Sequence, residues 1–245
     1  MDEHPGYSRA LLKLSGNAFA AVGKSGVGEA EVDYITTEVC DALEVCPELA
    51  VVVGGGNIMR GANFCPRGTG RLRADNAGML ATLVNALVLE DSLENRGIPA
   101  VIYSGLAVPD AVPAFDFEEA RADLERGHVV ILAGGTGNPL FTTDTAAGLR
   151  GIQLGVEIVL KATRVEGVFS ADPETDEDAE FFSHLSCREV LARRLGVMDL
   201  CAISLCMEHD LPVRVFNYRV AGNIRRALAG ESIGTLIGNP RHGHG

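Results

Sequence analysis

The chain has 245 residues, 47% hydrophobic and 22% charged, with 33 acidic against 21 basic side chains and a formal net charge of −12. That balance excludes wholesale binding to nucleic acid or to an anionic membrane, both of which need a basic face, yet it permits a small anion in a locally basic cleft. No apolar run approaches the roughly 20 residues that span a bilayer, and the length fits one large domain or two small ones.

Residues 1–8, within the polar start MDEHPGYSRA, read as a tail unlike a targeting segment, ahead of a single domain over residues 9–238. Short runs rich in Val and Ile then alternate with longer amphipathic stretches. Ala10–Leu14 predicts a strand, Glu29–Val45 a helix, Leu49–Val53 a strand and Asp75–Asn95 a helix. Ala100–Tyr103 predicts a strand, Asp116–Arg126 a helix, Val129–Ala133 a strand and Thr143–Leu154 a helix. Glu157–Ala162 predicts a strand, Ser186–Leu195 and Asp199–His209 two helices, and Pro212–Phe216 a strand. Gly97, Gly127, Gly155 and Gly196 stand as stop signals behind four of the helices. Strands that are continuously apolar are covered on both faces, so the fold class is α/β, a three-layer sandwich around a mainly parallel central sheet.

Within the second helix, Ala77–Leu89 is apolar almost all round, which suits burial in the core or in a subunit interface. The acidic patch Ala171–Glu180 reads as a solvated loop, and residues 239–245, with His242 and His244 among glycines, as a flexible tail. The six cysteines form no C-x-x-C and no zinc-like cluster, which suits free thiols in a reducing cytoplasm and gives no metal site.

Three lysines, Lys13, Lys24 and Lys161, stand against eighteen arginines. A chain that uses Arg for its generic cations and keeps Lys behind two apolar runs is read as needing compact point charges at Lys13 and Lys161. Glycine-rich turns follow three strands: Lys13–Gly16 (KLSG), Val51–Asn57 (VVVGGGN) and Ile131–Asn138 (ILAGGTGN), the last two a near-repeat. Glycine permits close backbone approach, so several N–H groups can face one phosphate chain beyond the carboxyl ends of the strands. Phosphoryl transfer needs cations on the moving group and an in-line acceptor. Lys13 and Lys161 can supply the cations. Asp144 can orient them or cap its helix, and the two roles are compatible. Arg60 and Asp75 can grip an acceptor nucleotide by its phosphate and its ribose hydroxyls.

Taken in order, Lys13–Gly16, Gly54–Gly61, Asp75–Leu87, Gly135–Ala147, Leu160–Pro173, Val197–Leu200 and Pro212–Asn217 resemble the bacterial uridylate (UMP) kinases, a family with the amino-acid-kinase fold. The resemblance runs from about residue 9 to residue 237. It implies ATP-dependent phosphorylation of UMP to UDP, with Mg2+ accompanying ATP, in a cytoplasmic homohexamer that takes GTP and UTP as effectors. It places Lys13, Leu14, Ser15, Gly16, Gly56, Arg60, Thr163, Phe169 and Asp172 at ATP, which moves Arg60 from the acceptor side. It places Gly55, Asp75, Thr136, Gly137, Asn138, Pro139, Leu140, Phe141, Thr142 and Thr143 at UMP. Asp144 and Lys161 match its lysine-organising aspartate and second catalytic lysine, and Asp199 matches a further motif position. The chain departs from the pattern at Asn17, where the family carries Glu, and at Arg164–Gly167 (RVEG), where it carries Lys-Val-Asp-Gly. The Ala20–Gly28 segment is about two residues longer than expected. A nucleotide-binding storage protein of the molybdenum or tungsten type is the alternative on the same scaffold, and an amino-acid or carbamate kinase is a further one.

Overall fold

A computed structural model of the chain describes residues 6–59, 70–171, 175–176 and 178–238. Its strands are β1 (Arg9–Leu14), β2 (Glu48–Val53), β3 (Ala100–Ser104), β4 (Val129–Ala133), β5 (Ile158–Thr163), β6 (Val168–Phe169), β7 (Phe181–Phe182), β8 (His184–Leu185), β9 (Val213–Asn217) and β10 (Thr235–Ile237). Its α-helices are α1 (Glu29–Leu43), α2 (Gly70–Glu94), α3 (Phe117–Glu125), α4 (Thr143–Leu154), α5 (Cys187–Arg193), α6 (Leu200–Glu208) and α7 (Asn223–Leu228), with a 3-10 turn at Gly16–Phe19. Eight strands form one sheet in the order β3-β4-β2-β1-β5-β9-β10-β8. Neighbours from β3 to β9 are parallel, and β10 runs antiparallel to β9.

The three-layer expectation holds because alternate strand residues enter two separate cores. Leu12, Leu14, Val51, Val53, Leu160 and Ala162 pack with Ile35 and Val39 of α1, Leu83 and Leu89 of α2, and Ile224 and Leu228 of α7. Leu11, Val52, Val159 and Val213 face the opposite layer, with Leu124 of α3, Ala147 and Leu154 of α4, Val190 of α5, and Ile203 of α6. The period of two in a strand therefore sorts the whole chain into layers.

Helix ends follow local chemistry. Asp116 caps α3 by accepting from the Glu118 and Glu119 N–H groups at 2.9 and 3.0 Å. Ser186 and Glu189 close a reciprocal capping box on α5, and Gly155 ends α4 at a φ of 68°. Gly196 does not play the expected stop role: α5 ends earlier, and Arg194 takes the left-handed position at a φ of 51°. Helix α2 begins five residues before the expected Asp75, so its first turns carry Arg71 and Arg73. The short pieces β6, β7, β8, β10 and α7 have no apolar run long enough to announce them.

Along α2 the apolar residues divide. Met79, Leu83, Ala86 and Leu89 are buried, whereas Leu80, Val84 and Leu87 are exposed on one face. No helix among the described residues is long and apolar enough to cross a membrane.

Candidate active site

The parity of the strands builds the centre of the site. Lys13 and Lys161 are register partners on adjacent parallel strands. Lys13 shares a face with Leu11, and Lys161 shares one with Val159, both of which point to the α4 layer. On that layer the first turn of α4 presents Asp144. Its Oδ1 lies 2.8 Å from Lys13 Nζ and its Oδ2 lies 2.6 Å from Lys161 Nζ, all three side chains being at most 14% exposed. Lys161 Nζ also donates to the Val197 carbonyl. One carboxylate thus holds two ammonium groups that would otherwise repel each other.

Burial works against the Asp144 carboxylate, but the charges and hydrogen bonds of Lys13 and Lys161 outweigh it and hold the group below its ordinary range. Lys161 is pushed down from the usual lysine value by burial, with Lys13 adding to the shift and Asp144 opposing it. Asp144 does not cap its helix. Thr142 does, its hydroxyl accepting from the Asp144 N–H at 3.0 Å. The same Thr142 hydroxyl donates to Asp199 Oδ2 at 2.5 Å, and Thr145 donates to that oxygen at 2.8 Å. Asp199 Oδ1 caps α6 through the Ala202 N–H at 2.9 Å. The Val197–Asp199 turn therefore grips both the lysine and the helix that carries Asp144.

Two clefts open beside this ion triad. One, of about 500 Å3, is lined by Lys161, Thr163, Phe169, Arg193, Arg194 and Val197 among others. It brings together two residues that the resemblance places at ATP. Thr163 ends β5 with its hydroxyl directed at the carbonyls of Val165 (2.8 Å) and Phe216 (3.1 Å). Phe169 lies on the β6–β7 hairpin, edge-on to Phe181 at 5.4 Å. Arg193, over the Phe182 ring, and Arg194 line the same wall. Glu166, one of the departures from the family pattern, accepts from Asn217 Nδ2 at 2.8 Å and so joins the ends of the β5 loop and β9.

The second cleft, of about 400 Å3, is lined by Gly55, Gly56, Arg71, Asp75, Phe141, Thr142 and Thr143 among others. Of the residues assigned to UMP it gathers Gly55, Asp75, Phe141, Thr142 and Thr143. Gly56, which the resemblance assigns to ATP, lies here with Gly55. Thr136, Gly137, Asn138, Pro139 and Leu140 form the adjoining loop but do not line the cleft; Thr136 and Asn138 hydrogen-bond each other. Leu14, Ser15 and Gly16 stand at the end of β1 outside both clefts, Ser15 starting the 3-10 turn. Arg60 and Asp172 lie outside the described residues.

Backbone proximity shapes the second cleft. A methyl group on Gly54 would lie 2.6 Å from Gly16 N, and one on Gly55 would lie 2.8 Å from the Gly78 carbonyl. A pair of buried asparagines locks the turn. Asn85 Nδ2 donates to the Gly54 carbonyl at 2.7 Å and to Asn57 Oδ1 at 2.8 Å, and Asn57 Nδ2 reaches the Gly26 carbonyl at 2.8 Å. Gly26 N–H returns a bond to the Asn57 carbonyl at 2.9 Å, so the long Ala20–Gly28 segment is anchored to the same turn. Across the cleft, Thr82 accepts from the Gly134 N–H at 2.7 Å and ties α2 to the loop after β4.

A family model described as the amino acid kinase family matches residues 8–217. The uridylate kinase of Aliivibrio fischeri is 44% identical over 235 residues, covering 96% of this chain and 97% of that one. The uridylate kinase of Ectopseudomonas mendocina is 45% identical over 233 residues, covering 95% and 94%. Among solved structures, the UMP kinase from Bacillus anthracis superposes with a TM-score of 0.92 at 32% identity, covering 96% of this chain and 98% of that one. The UMP kinase from Ureaplasma parvum gives 0.87 at 28% identity, covering 95% and 99%.

Proposed function

This chain belongs to the amino acid kinase family, and from that membership we propose that it is a UMP kinase, an enzyme that transfers the γ-phosphoryl group of ATP to UMP and releases UDP and ADP in pyrimidine nucleotide synthesis. The observation that carries the chemistry is the Lys13–Asp144–Lys161 triad, whose Lys161 lines one cleft and whose Asp144 directly follows Thr142 and Thr143 of the other. ATP takes the cleft of Thr163 and Phe169, and UMP the cleft of Gly55 and Asp75. An oxygen of the UMP phosphate attacks the γ-phosphorus as the bond to the β,γ-bridging oxygen breaks, with no phosphoenzyme. Lys13 and Lys161 neutralise the charge on the moving group, and Asp144 fixes their positions without touching it.

An Mg2+ ion accompanying ATP would supply further charge neutralisation at the phosphates, beside that of Lys13 and Lys161. Magnesium sites of this kind use substrate phosphates rather than a protein cage. That suits a site where both oxygens of Asp144 are engaged by lysines.

The exposed Leu80, Val84 and Leu87 face of α2 supports self-association, and we extend the proposal to a homohexamer. GTP and UTP as effectors rest on the resemblance alone. The free thiols of Cys40, Cys46, Cys187, Cys201 and Cys206 suit a cytoplasmic setting. The storage-protein alternative draws no support from the relatives named above, which are uridylate or UMP kinases. Incubation with Mg-ATP and a panel of acceptors, with and without GTP or UTP, tests the proposal. UDP is the expected product, and a preference for an amino acid or carbamate overturns it.

A further inference from the structure

On the acceptor side, one carboxylate is held from two directions by the protein itself. Arg71 Nε donates to Asp75 Oδ1 at 2.8 Å, and the Leu140 backbone N–H donates to Asp75 Oδ2 at 2.9 Å. An i,i+4 ion pair with its arginine 47% exposed adds little to the stability of a helix. Its location gives it another use. Arg71 and Asp75 both line the acceptor cleft, and Arg71 is the one cation among the described residues that line it. The partner on the second oxygen, Leu140, sits at a φ of 74°, a left-handed conformation that is unusual for a residue with a side chain. The Asp75 carboxylate is thus the knot between the first turns of α2 and the loop that follows β4.

We propose that Arg71 is a positioning residue that makes the acceptor cleft selective for a ribonucleotide over a 2′-deoxyribonucleotide. An ionised carboxylate offers about four lone-pair directions. Arg71 and Leu140 each take one, on different oxygens, and so fix the carboxylate plane. The remaining directions, one per oxygen, match the two neighbouring hydroxyls of a ribose. A deoxyribose leaves one of them unmet on a carboxylate only 14% exposed, and a site built to accept a hydroxyl rejects the analogue that lacks it. Released from Arg71, the carboxylate keeps only the Leu140 hydrogen bond, its plane is no longer fixed, and the distinction fades. The inference deepens the acceptor reading above and rests on it.

The test compares wild type, Arg71→Gln, Arg71→Lys, Asp75→Asn and the Arg71→Gln/Asp75→Asn double variant with UMP and dUMP as acceptors. Arg71→Gln is expected to raise KM for UMP about tenfold, the scale of one hydrogen bond to a charged group, with kcat within about threefold. KM for ATP stays unchanged, the preference for UMP over dUMP narrows, and Arg71→Lys recovers part of it. The double variant is no worse than Asp75→Asn alone, because Arg71 acts through Asp75. An Arg71→Gln enzyme with unaltered UMP KM and unaltered dUMP discrimination overturns the inference. So does a parallel loss toward both ATP and UMP, which a merely structural role would produce. Wild-type protein that leaves UMP unphosphorylated overturns the function itself, a result distinct from either.

Discussion

The cleft proposed for the acceptor is built on glycine turns pressed against one another and locked by Asn57 and Asn85, whereas the cleft proposed for the donor is lined by side chains on the two-residue strand β6 and around the end of α5. Backbone against backbone leaves little slack at the glycine turns of the first wall, although Arg71 and Phe141 complete it with side chains. Side chains on short, edge-placed pieces can repack, so the second wall can adjust. The difference suits the proposed chemistry. The attacking phosphate has to meet the γ-phosphorus in line, and a misplacement of about 1 Å costs on the order of a hundredfold. In the proposed reaction the base and sugar of the donor are not part of that event.

The largest effect is expected at the ion triad. Lys161→Ala removes one of two cations from the transferring group and lowers kcat by about 10²–10³, with the fold intact by circular dichroism. An unchanged rate would remove Lys161 from the mechanism. The contrast between the walls sharpens at Gly55. Gly55→Ala sets a methyl group 2.8 Å from the Gly78 carbonyl and 2.9 Å from Ala81 Cβ, and is expected to cost about 1–3 kcal/mol in urea unfolding while raising KM for UMP more than KM for ATP. An unaltered midpoint and UMP KM would show that this wall has slack after all.

The pH profile reads the ion triad again. Lys161 acts as an ammonium ion, and its downward shift brings the alkaline fall of kcat below the ordinary lysine value of 10.5. Asp144 is lowered below its ordinary 3.8, so it stays ionised and adds no acid limb above that value. In stability the Asp144 interactions are fully present above that ordinary value and are lost only as pH falls through the lowered one. A kcat profile flat up to pH 10.5 would contradict this. The smallest effect belongs to the adaptable wall. Phe169→Ala removes a ring that lines this cleft and, with it, a Phe181 contact worth about 0.5–1.5 kcal/mol to the β6–β7 pair, so at most a roughly tenfold rise in KM for ATP and no change for UMP are expected. An equal rise for both nucleotides would erase the distinction between the walls.

The same contrast decides what the sequence makes legible. The triad could be read because lysine is rare here: Lys13 and Lys161 stand out behind apolar runs, and strand periodicity then fixes their common face. The strand-end glycines of the acceptor wall are contiguous in sequence and announce themselves. Asn85 is the part of that wall that motif reading does not pick out, although a polar residue interrupting the apolar Ala77–Leu89 stretch is a usable signal. The donor wall was harder. Phe169 and Thr163 came from the resemblance, and Arg193 and Arg194 carry no pattern that distinguishes them from surface arginines. Two-residue strands are too short for any periodicity, so the β6–β7 hairpin could not be read. The grip on Lys161 by the Val197 carbonyl uses a backbone atom, which every residue type supplies alike. Arg71 carries no signal while the helix is expected to begin only at Asp75, because the i,i+4 relation between them exists only when the helix extends back to Gly70.

The pairing of Lys13 with Lys161 also makes the site a clock. The two strands that carry them are neighbours in the sheet but far apart along the chain, with β2, β3 and β4 all intervening in sequence. Contacts of such long separation close late, after loop entropy has been overcome. In a refolding experiment, helix signal is therefore expected to return before phosphoryl transfer does. Recovery of turnover then times the docking of β5 on β1, so the enzyme's own reaction reports the moment when the centre of its sheet is joined.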